Sequence, residues 1–201
     1  TMTDSDGLLK WKPHNLLSYS EDFTNAAWAK YACSTSADAT TAPDGSLTAD
    51  LATVDAVTDF PRLAYALVLA EVENTFSVWV KPNGYDYVAI SSNHGAGGSS
   101  RYAHFELTGA GAVSSLNAMF TTGTIQAVSG GWYYLTVKFV STFSTARGVS
   151  ISPQPTSTTQ TSYTGDGTSG VYLWGAHAYR SDLGGMVNNP SQPAGFETYV
   201  P

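Results

Sequence analysis

The chain has 201 residues, of which 42% are hydrophobic and only 12% charged, and its formal net charge is −7. That length suits one domain with a sizeable core, and the apolar share is too high for a disordered tail. Nine scattered Lys and Arg in an acidic chain exclude a nucleic-acid binder, which needs a basic stripe against phosphate, and exclude docking on an anionic membrane for the same reason. No apolar run approaches the roughly 18–20 residues of a spanning helix; the longest, Leu63–Ala70, suits a buried strand.

Thr1–Pro13 reads as an N-terminal arm or linker ahead of a domain over 14–201. "TMTDSDG" is small and polar, while Leu8, Leu9 and Trp11 form an apolar anchor for a neighbouring chain. Helical period is nearly absent; only Ser20–Lys30 hints at a turn of helix, with Ser20 as its cap. Elsewhere the pattern has period two and is broken every 8–12 residues by Gly, Pro, Asn or Asp, the signature of a sandwich or barrel. Strands are predicted near 14–19, 47–54, 62–70, 75–82, 86–92, 101–107, 112–118, 121–128, 132–141, 147–152 and 171–180. "APDG" at Ala42–Gly45, "KPNG" at Lys81–Gly84 and "TGDG" at Thr164–Gly167 are turns with glycine where a positive φ is needed. Ser152–Ser162 reads as a long surface connection, and Gly175 as a bulge inside the last strand. The fold class expected is an all-β, two-sheet antiparallel sandwich.

Alternation assigns faces. Phe76, Val78 and Val80 oppose Trp79 and Lys81. Tyr133, Leu135, Val137 and Phe139 oppose Trp132 and Tyr134. Ala103, Phe105 and Leu107 oppose Tyr102, His104 and Glu106, and Val88 and Ile90 oppose Tyr87. Four strands thus share a second face that is aromatic yet polar: Trp79, Tyr87, Tyr102, His104, Glu106, Trp132 and Tyr134. Three readings fit it. It stacks sugar rings, it forms a subunit interface where Tyr and Trp are enriched, or it is a second core layer beneath loops.

Catalytic patterns are weak. There is no G-x-S-x-G nucleophile elbow. His14, His94, His104 and His177 fall in separate segments without metal-ligand spacing. Glu106 is half of a glycosidase-type pair at most, and Tyr102 with His104 is a lyase-like acid and base pair. Glu21, Asp22 and Asp166 are candidates for a structural calcium ion, although Asp166 also suits its turn. The single cysteine, Cys33, forbids an internal disulfide and reads as a small buried hydrophobe.

Six segments come in a characteristic order: "NLLSYSEDFTNAAWAK" (Asn15–Lys30), "TAPDGSLTAD", "TFSVWVKP", "GGWYYLTVKF", "YTGDGTSGVYLWGAHAY" and the ending "ETYVP". Together they resemble a jelly-roll domain of bacteriophage and prophage virion proteins, such as tail fibres, tail-associated proteins and head fibres. More distantly, they are similar to jelly-roll carbohydrate-binding modules. The resemblance implies a jelly roll without catalytic machinery, displayed on the virion as a homotrimer, partnered by other virion proteins and binding a host cell-surface glycan. The alternative it leaves is a carbohydrate-binding module of a secreted polysaccharide-degrading enzyme or, further off, a small polysaccharide lyase. His177 and Tyr179 depart from the family pattern, which has an amide or acid after "WGA", and this weakens a calcium role at that strand.

Overall fold

The computed structural model describes residues 15–92, 102–141, 148–157 and 162–183, preceded by the backbone of two short paired stretches, β1 (Met2–Thr3) and β2 (Leu9–Lys10). Two six-stranded antiparallel sheets form the body. Sheet I runs, edge to edge, β11 (Ala112–Leu116), β10 (Tyr102–Glu106), β9 (Tyr87–Ser92), β14 (Val149–Gln154), β7 (Arg62–Tyr65) and β3 (Trp28–Tyr31). Sheet II runs β12 (Phe120–Val128), β13 (Trp132–Val140), β8 (Glu73–Asn83), β16 (Gly170–Arg180), β5 (Ala49–Val54) and β4 (Cys33–Thr40). A small pair, β6 (Thr58–Asp59) with β15 (Tyr163–Thr164), closes one end.

The chain crosses between sheets in the order β5, β7, β8, then β9 and β10, then β13, β14 and β16. Central strands β5-β16-β8-β13 therefore face β7-β14-β9-β10, which is a jelly roll. No α-helix occurs among the described residues; two 3₁₀ turns do.

Alternation explains the core. Phe76, Val78 and Val80 of β8, Leu135 and Val137 of β13, and Leu173 of β16 are all fully buried. They meet Leu63, Val88, Ile90, Phe105, Val149 and Ile151 of sheet I. Burying a side chain of this size contributes roughly 1.5–3 kcal/mol. The bulge expected at Gly175 is present: its φ is 63° and the β16 register shifts between Trp174 and His177. Leu173 before it and Ala176 and Ala178 after it all point into the core. The extra residue turns Trp174, His177 and Tyr179 to the opposite face.

Several stretches differ from the sequence reading. The strand expected over 62–70 ends at Tyr65, with Val68 exposed, and β3, β4, β6 and β15 stand where no strand was expected. Residues 15–20 are not a strand but a strap along the half of β16 that β5 leaves unpaired. Leu16 and Ala176 donate to Ala178 and Ser20 carbonyls at 2.8 Å, and Asn15 Oδ1 accepts from Ala178 N at 3.0 Å. The expected helical turn is instead a run of turns fixed by Asp22, whose carboxylate accepts from Thr24 and Asn25; Ser20 does not cap a helix. β14 extends through Gln154, into the stretch expected to be surface connection.

Candidate functional site

The seven aromatic and polar residues expected on one face lie on two sheets and point away from the core on opposite sides of the sandwich. Trp79, Trp132 and Tyr134 belong to sheet II; Tyr87, Tyr102, His104 and Glu106 belong to sheet I.

On sheet II the rings build a second, smaller core. Trp79 stacks on Tyr134 at 4.2 Å and meets Trp174 edge-on at 5.1 Å. The Thr41–Thr48 loop lies over them, with Ala42 buried among the rings. Its backbone and side chains take both indole N–H groups: Trp132 Nε1 donates to Thr41 O at 3.2 Å and Trp174 Nε1 to Thr48 Oγ1 at 3.1 Å. The predicted "APDG" turn closes this loop, Gly45 N donating to Ala42 O at 3.0 Å. Trp79 and Trp132 are 5% and 2% exposed, so these indoles are core beneath a loop. Period-two alternation separates the two faces of a strand, but it does not reveal that a loop covers the second one.

Sheet I is different. Its outward residues form three rows read across the strands. Tyr31, Arg62, Ser152, Ala89, His104 and Ser115 make one. Ala29, Ala64, Ser150, Ser91 and Tyr102 make the next, and Gln154, Tyr87, Glu106 and Ala112 the third. The middle of this face is small and polar: Ala64, Ala89, Ser150, Ser152, Gln154 and His104 are all 0–1% exposed. Ser91 and Ser150 hydroxyls bond each other at 2.6 Å, and His104 Nδ1 lies 2.8 Å from Ser115 Oγ. Burial pushes the His104 imidazole below its ordinary range.

Larger side chains arch over that floor. Tyr102 on β10 and Phe60, just before β7, are separated by two whole strands, a span of about 14 Å at ordinary strand spacing. Yet their rings meet edge-on at 5.8 Å, so they meet above β9 and β14. The Arg62 guanidinium lies over the Tyr31 ring at 3.9 Å and 5.7 Å from the Phe60 ring. Burial raises the Tyr102 hydroxyl, and the Arg62 charge works against that rise. At the Gln154 end, Tyr163 packs against Tyr85 at 5.8 Å, donates to Pro153 O at 2.8 Å, and is pushed well above the ordinary tyrosine range by burial.

Beneath this roof three side-chain atoms have no protein partner: the Gln154 amide nitrogen, the Gln154 amide oxygen and the Ser152 hydroxyl. Burying one such group unpaired costs about 1–3 kcal/mol, and three of them lie together on this face. The sequence reading named Tyr87, Tyr102, His104 and Glu106 here, and missed Tyr31, Phe60, Arg62, Ser152 and Gln154. The signal was in "VSISPQ": Ser150, Ser152 and Gln154 alternate with Val149, Ile151 and Pro153, which continues the strand past the residue where it was expected to end.

The remaining candidates fall apart in space or into structural roles. Asp166 accepts from Thr168 N, Ser169 N and Ser169 Oγ, and these bonds hold its carboxyl well below the usual range. Asp22 does the same for its own turn, and no group of three His, Cys, Asp or Glu among the described residues is arranged to hold a metal ion. Glu106 accepts the Thr108 hydroxyl at 2.5 Å. Tyr102 and His104 have ring centres 6.2 Å apart. His177 is buried on sheet II beside Tyr179, 5.2 Å ring to ring. Cys33 is buried and its thiol is pushed up to about 11. Leu8, Trp11, His14, His94 and the "ETYVP" ending lie outside the described residues, and Leu9 is described by backbone alone.

No family model and no curated protein matches the chain. Solved structures do. The CBM22-1 xylan-binding domain of Xyn10C from Paenibacillus barcinonensis is 12% identical with a TM-score of 0.42, covering 85% of this chain and 96% of that one. TmCBM61 in complex with β-1,4-galactotriose is 13% identical with a TM-score of 0.41, covering 83% and 99%. The CBM22-1–GH10 modules of Clostridium thermocellum xylanase 10B, complexed with xylohexaose, are 15% identical with a TM-score of 0.38, covering 90% of this chain and 31% of that one.

Proposed function

We propose that this chain is a non-catalytic glycan-binding module whose binding surface is the outer face of sheet I. The observation that carries the reading is the buried, unpartnered amide of Gln154 with the Ser152 hydroxyl beside it, under a roof of aromatic rings. A sugar has an apolar C–H face and a rim of hydroxyls. Tyr31, Phe60 and Tyr102 offer rings to the first; Gln154 and Ser152 offer one N–H donor group, one carbonyl and one hydroxyl to the second. Turning Phe60 outward opens the floor while Arg62 stays over the Tyr31 ring, and side-chain rotations of this kind are fast. Glu106 is engaged by Thr108 and His104 by Ser115, which suits holding a sugar rather than cleaving its bonds.

The carrier of such a module is either a secreted polysaccharide-degrading enzyme or, in the more specific form that the ordered sequence segments support, a phage virion on which a homotrimer adheres to host glycan. Light scattering distinguishes a 21.2 kDa monomer from a trimer three times that mass. Binding itself is tested by affinity electrophoresis and calorimetry against a panel of plant and bacterial surface polysaccharides. One ring stacked on a sugar contributes on the order of 1 kcal/mol, by analogy with aromatic pairs. Tyr31→Ala and Tyr102→Ala are each expected to weaken binding several-fold without unfolding the domain. Failure of the unmodified chain to bind any member of the panel, or equal binding by both variants, refutes the proposal.

A further inference from the structure

We infer that the glycan held on sheet I carries a carboxylate, so that the module's ligand class is an acidic, uronate-containing polysaccharide. This rests on the glycan-binding reading above and adds the charge of the ligand to it. The residue that carries the inference is Arg62. Its Cζ lies over the Tyr31 ring, 3.9 Å from the centroid, and 5.7 Å from that of Phe60, so one side of the cation is covered by a ring. An arginine has five such donors. One of them, on Nη1, donates to Phe60 O at 3.2 Å. Arg62 makes no ion pair with any described carboxylate. The nearest acid in sequence, Asp59, spends a carboxylate oxygen on Phe60 N at 2.7 Å.

Lys81, on the outer face of sheet II, likewise makes no ion pair with a described carboxylate; the remaining cations of the described body are placed differently. Lys138 lies 3.9 Å from Glu73, Arg180 is 2.6 Å from Asp182, and Lys30 donates to the Thr24 and Asn25 carbonyls at 2.7 Å. The chain has sixteen Asp and Glu, yet none of the described ones pairs with Arg62 on its aromatic platform. A guanidinium fixed by stacking is pre-organised, and its parallel N–H edges match the two oxygens of a carboxylate. Across the sheet register, Arg62 lies level with Ser152 and one row from Gln154. A pyranose seated on the rings therefore presents hydroxyls to Gln154 and Ser152 while a carboxylate at its rim reaches Arg62. Neutral sugars use the rings and the amide but leave the guanidinium edges to water.

The test uses the whole chain and matched polymers. Polygalacturonate, glucuronoxylan and alginate are each compared with their carboxyl-reduced counterparts, which keep the backbone and lose the charge; a sulfated neutral galactan controls for anions in general. At low ionic strength at least one uronate polymer is expected to bind tenfold or more tightly than its reduced form, with the difference shrinking as salt is added. Arg62→Gln should abolish the difference and leave the weak residual binding of the reduced polymer; Arg62→Lys should restore only part of it, since it keeps charge but not the fork. Thermal midpoints of both variants establish that they fold; should Arg62→Gln unfold, the Arg62→Lys and salt arms decide. Equal binding of acidic and reduced polymers, or of unmodified chain and Arg62→Gln, overturns the acidic inference and leaves the glycan reading standing. Binding of the sulfated galactan alone also overturns it. Binding of no polymer at all removes the glycan reading, and the inference falls with it.

Discussion

Replacing Gln154 by methionine should make the free protein more stable and a poorer binder. The Gln154 side chain is 0% exposed on sheet I, and neither its amide nitrogen nor its amide oxygen has a protein partner. Leaving one such atom unsatisfied costs about 1–3 kcal/mol. Methionine is of similar length, unbranched and apolar, so it fills the same space without the polar atoms. Allowing for imperfect packing of the thioether, the expected gain is about 1–3 kcal/mol. For a domain of this size each kcal/mol moves the midpoint by roughly 2–4 °C, so the rise should be roughly 2–12 °C in a thermal scan. The same change removes the donor and the acceptor that a sugar would use, so affinity should fall at least tenfold. The midpoint shift that ligand produces in the unmodified protein should shrink with it. A lower midpoint in Gln154→Met would show that the amide is satisfied and structural. A higher midpoint with undiminished binding would show that the amide does not face the ligand. Either result refutes the reasoning.

Trp174→Ala and Trp79→Ala should each cost about 3–5 kcal/mol and lower the midpoint by roughly 6–20 °C, because both indoles are core beneath the Thr41–Thr48 loop; glycan affinity of the folded fraction should be unchanged, and selective loss of binding would return this face to the list of ligand sites. Removing residues 1–13 should leave folding intact, whereas Asn15→Ala should cost about 1–3 kcal/mol, since Asn15 Oδ1 accepts from both Leu17 N and Ala178 N at 3.0 Å; chemical denaturation of the two variants checks the contrast. The His104 imidazole is held below its ordinary value of 6.5 by burial, so the folded state favours its neutral form. Its contribution is therefore present above that pH and lost as pH falls below it, and denaturation curves from pH 8 to 5 should lose less stability in His104→Gln than in the unmodified chain.

Much of the sandwich is legible as alternation. Strands β5, β8, β9, β10, β11, β12, β13 and β16 stand within about two residues of where period two and turn residues put them. Phe76, Val78, Leu135, Val137 and Phe105 face inward as read. Gly175 is a bulge because a glycine inside an otherwise apolar strand has no packing role of its own. Strands β3 and β4 escaped this logic. β4 is an edge strand whose residues after Cys33 are largely exposed, so "STSADAT" carries no apolar period. Residues 15–20 show the converse: their pattern is strand-like, yet they reach β16 through two backbone bonds and two more from the Asn15 side chain rather than through a ladder.

The site was legible only in half, for a reason built into sheets. Alternation tells which residues share a face of one strand; which strands share a sheet depends on connections between sheets. In a jelly roll successive strands cross from one sheet to the other, so β8 and β9, adjacent in sequence, turn their outward rings to opposite sides of the molecule. Trp79 and Tyr87 therefore cannot cooperate, although eight residues separate them. Tyr102 and Phe60, forty-two apart, do meet. The two outward faces differ in how much polar material they leave unmatched: the Ser77 hydroxyl on sheet II, against the Gln154 amide and the Ser152 hydroxyl on sheet I. Beneath the loop on sheet II, both indole N–H groups of Trp132 and Trp174 find protein acceptors. Beneath the rings on sheet I, the Gln154 amide finds none. A face whose rings and N–H groups are closed by its own loop is core, whereas one that keeps an amide and a hydroxyl without a partner beside a guanidinium is the surface we propose for binding, and it lies on sheet I.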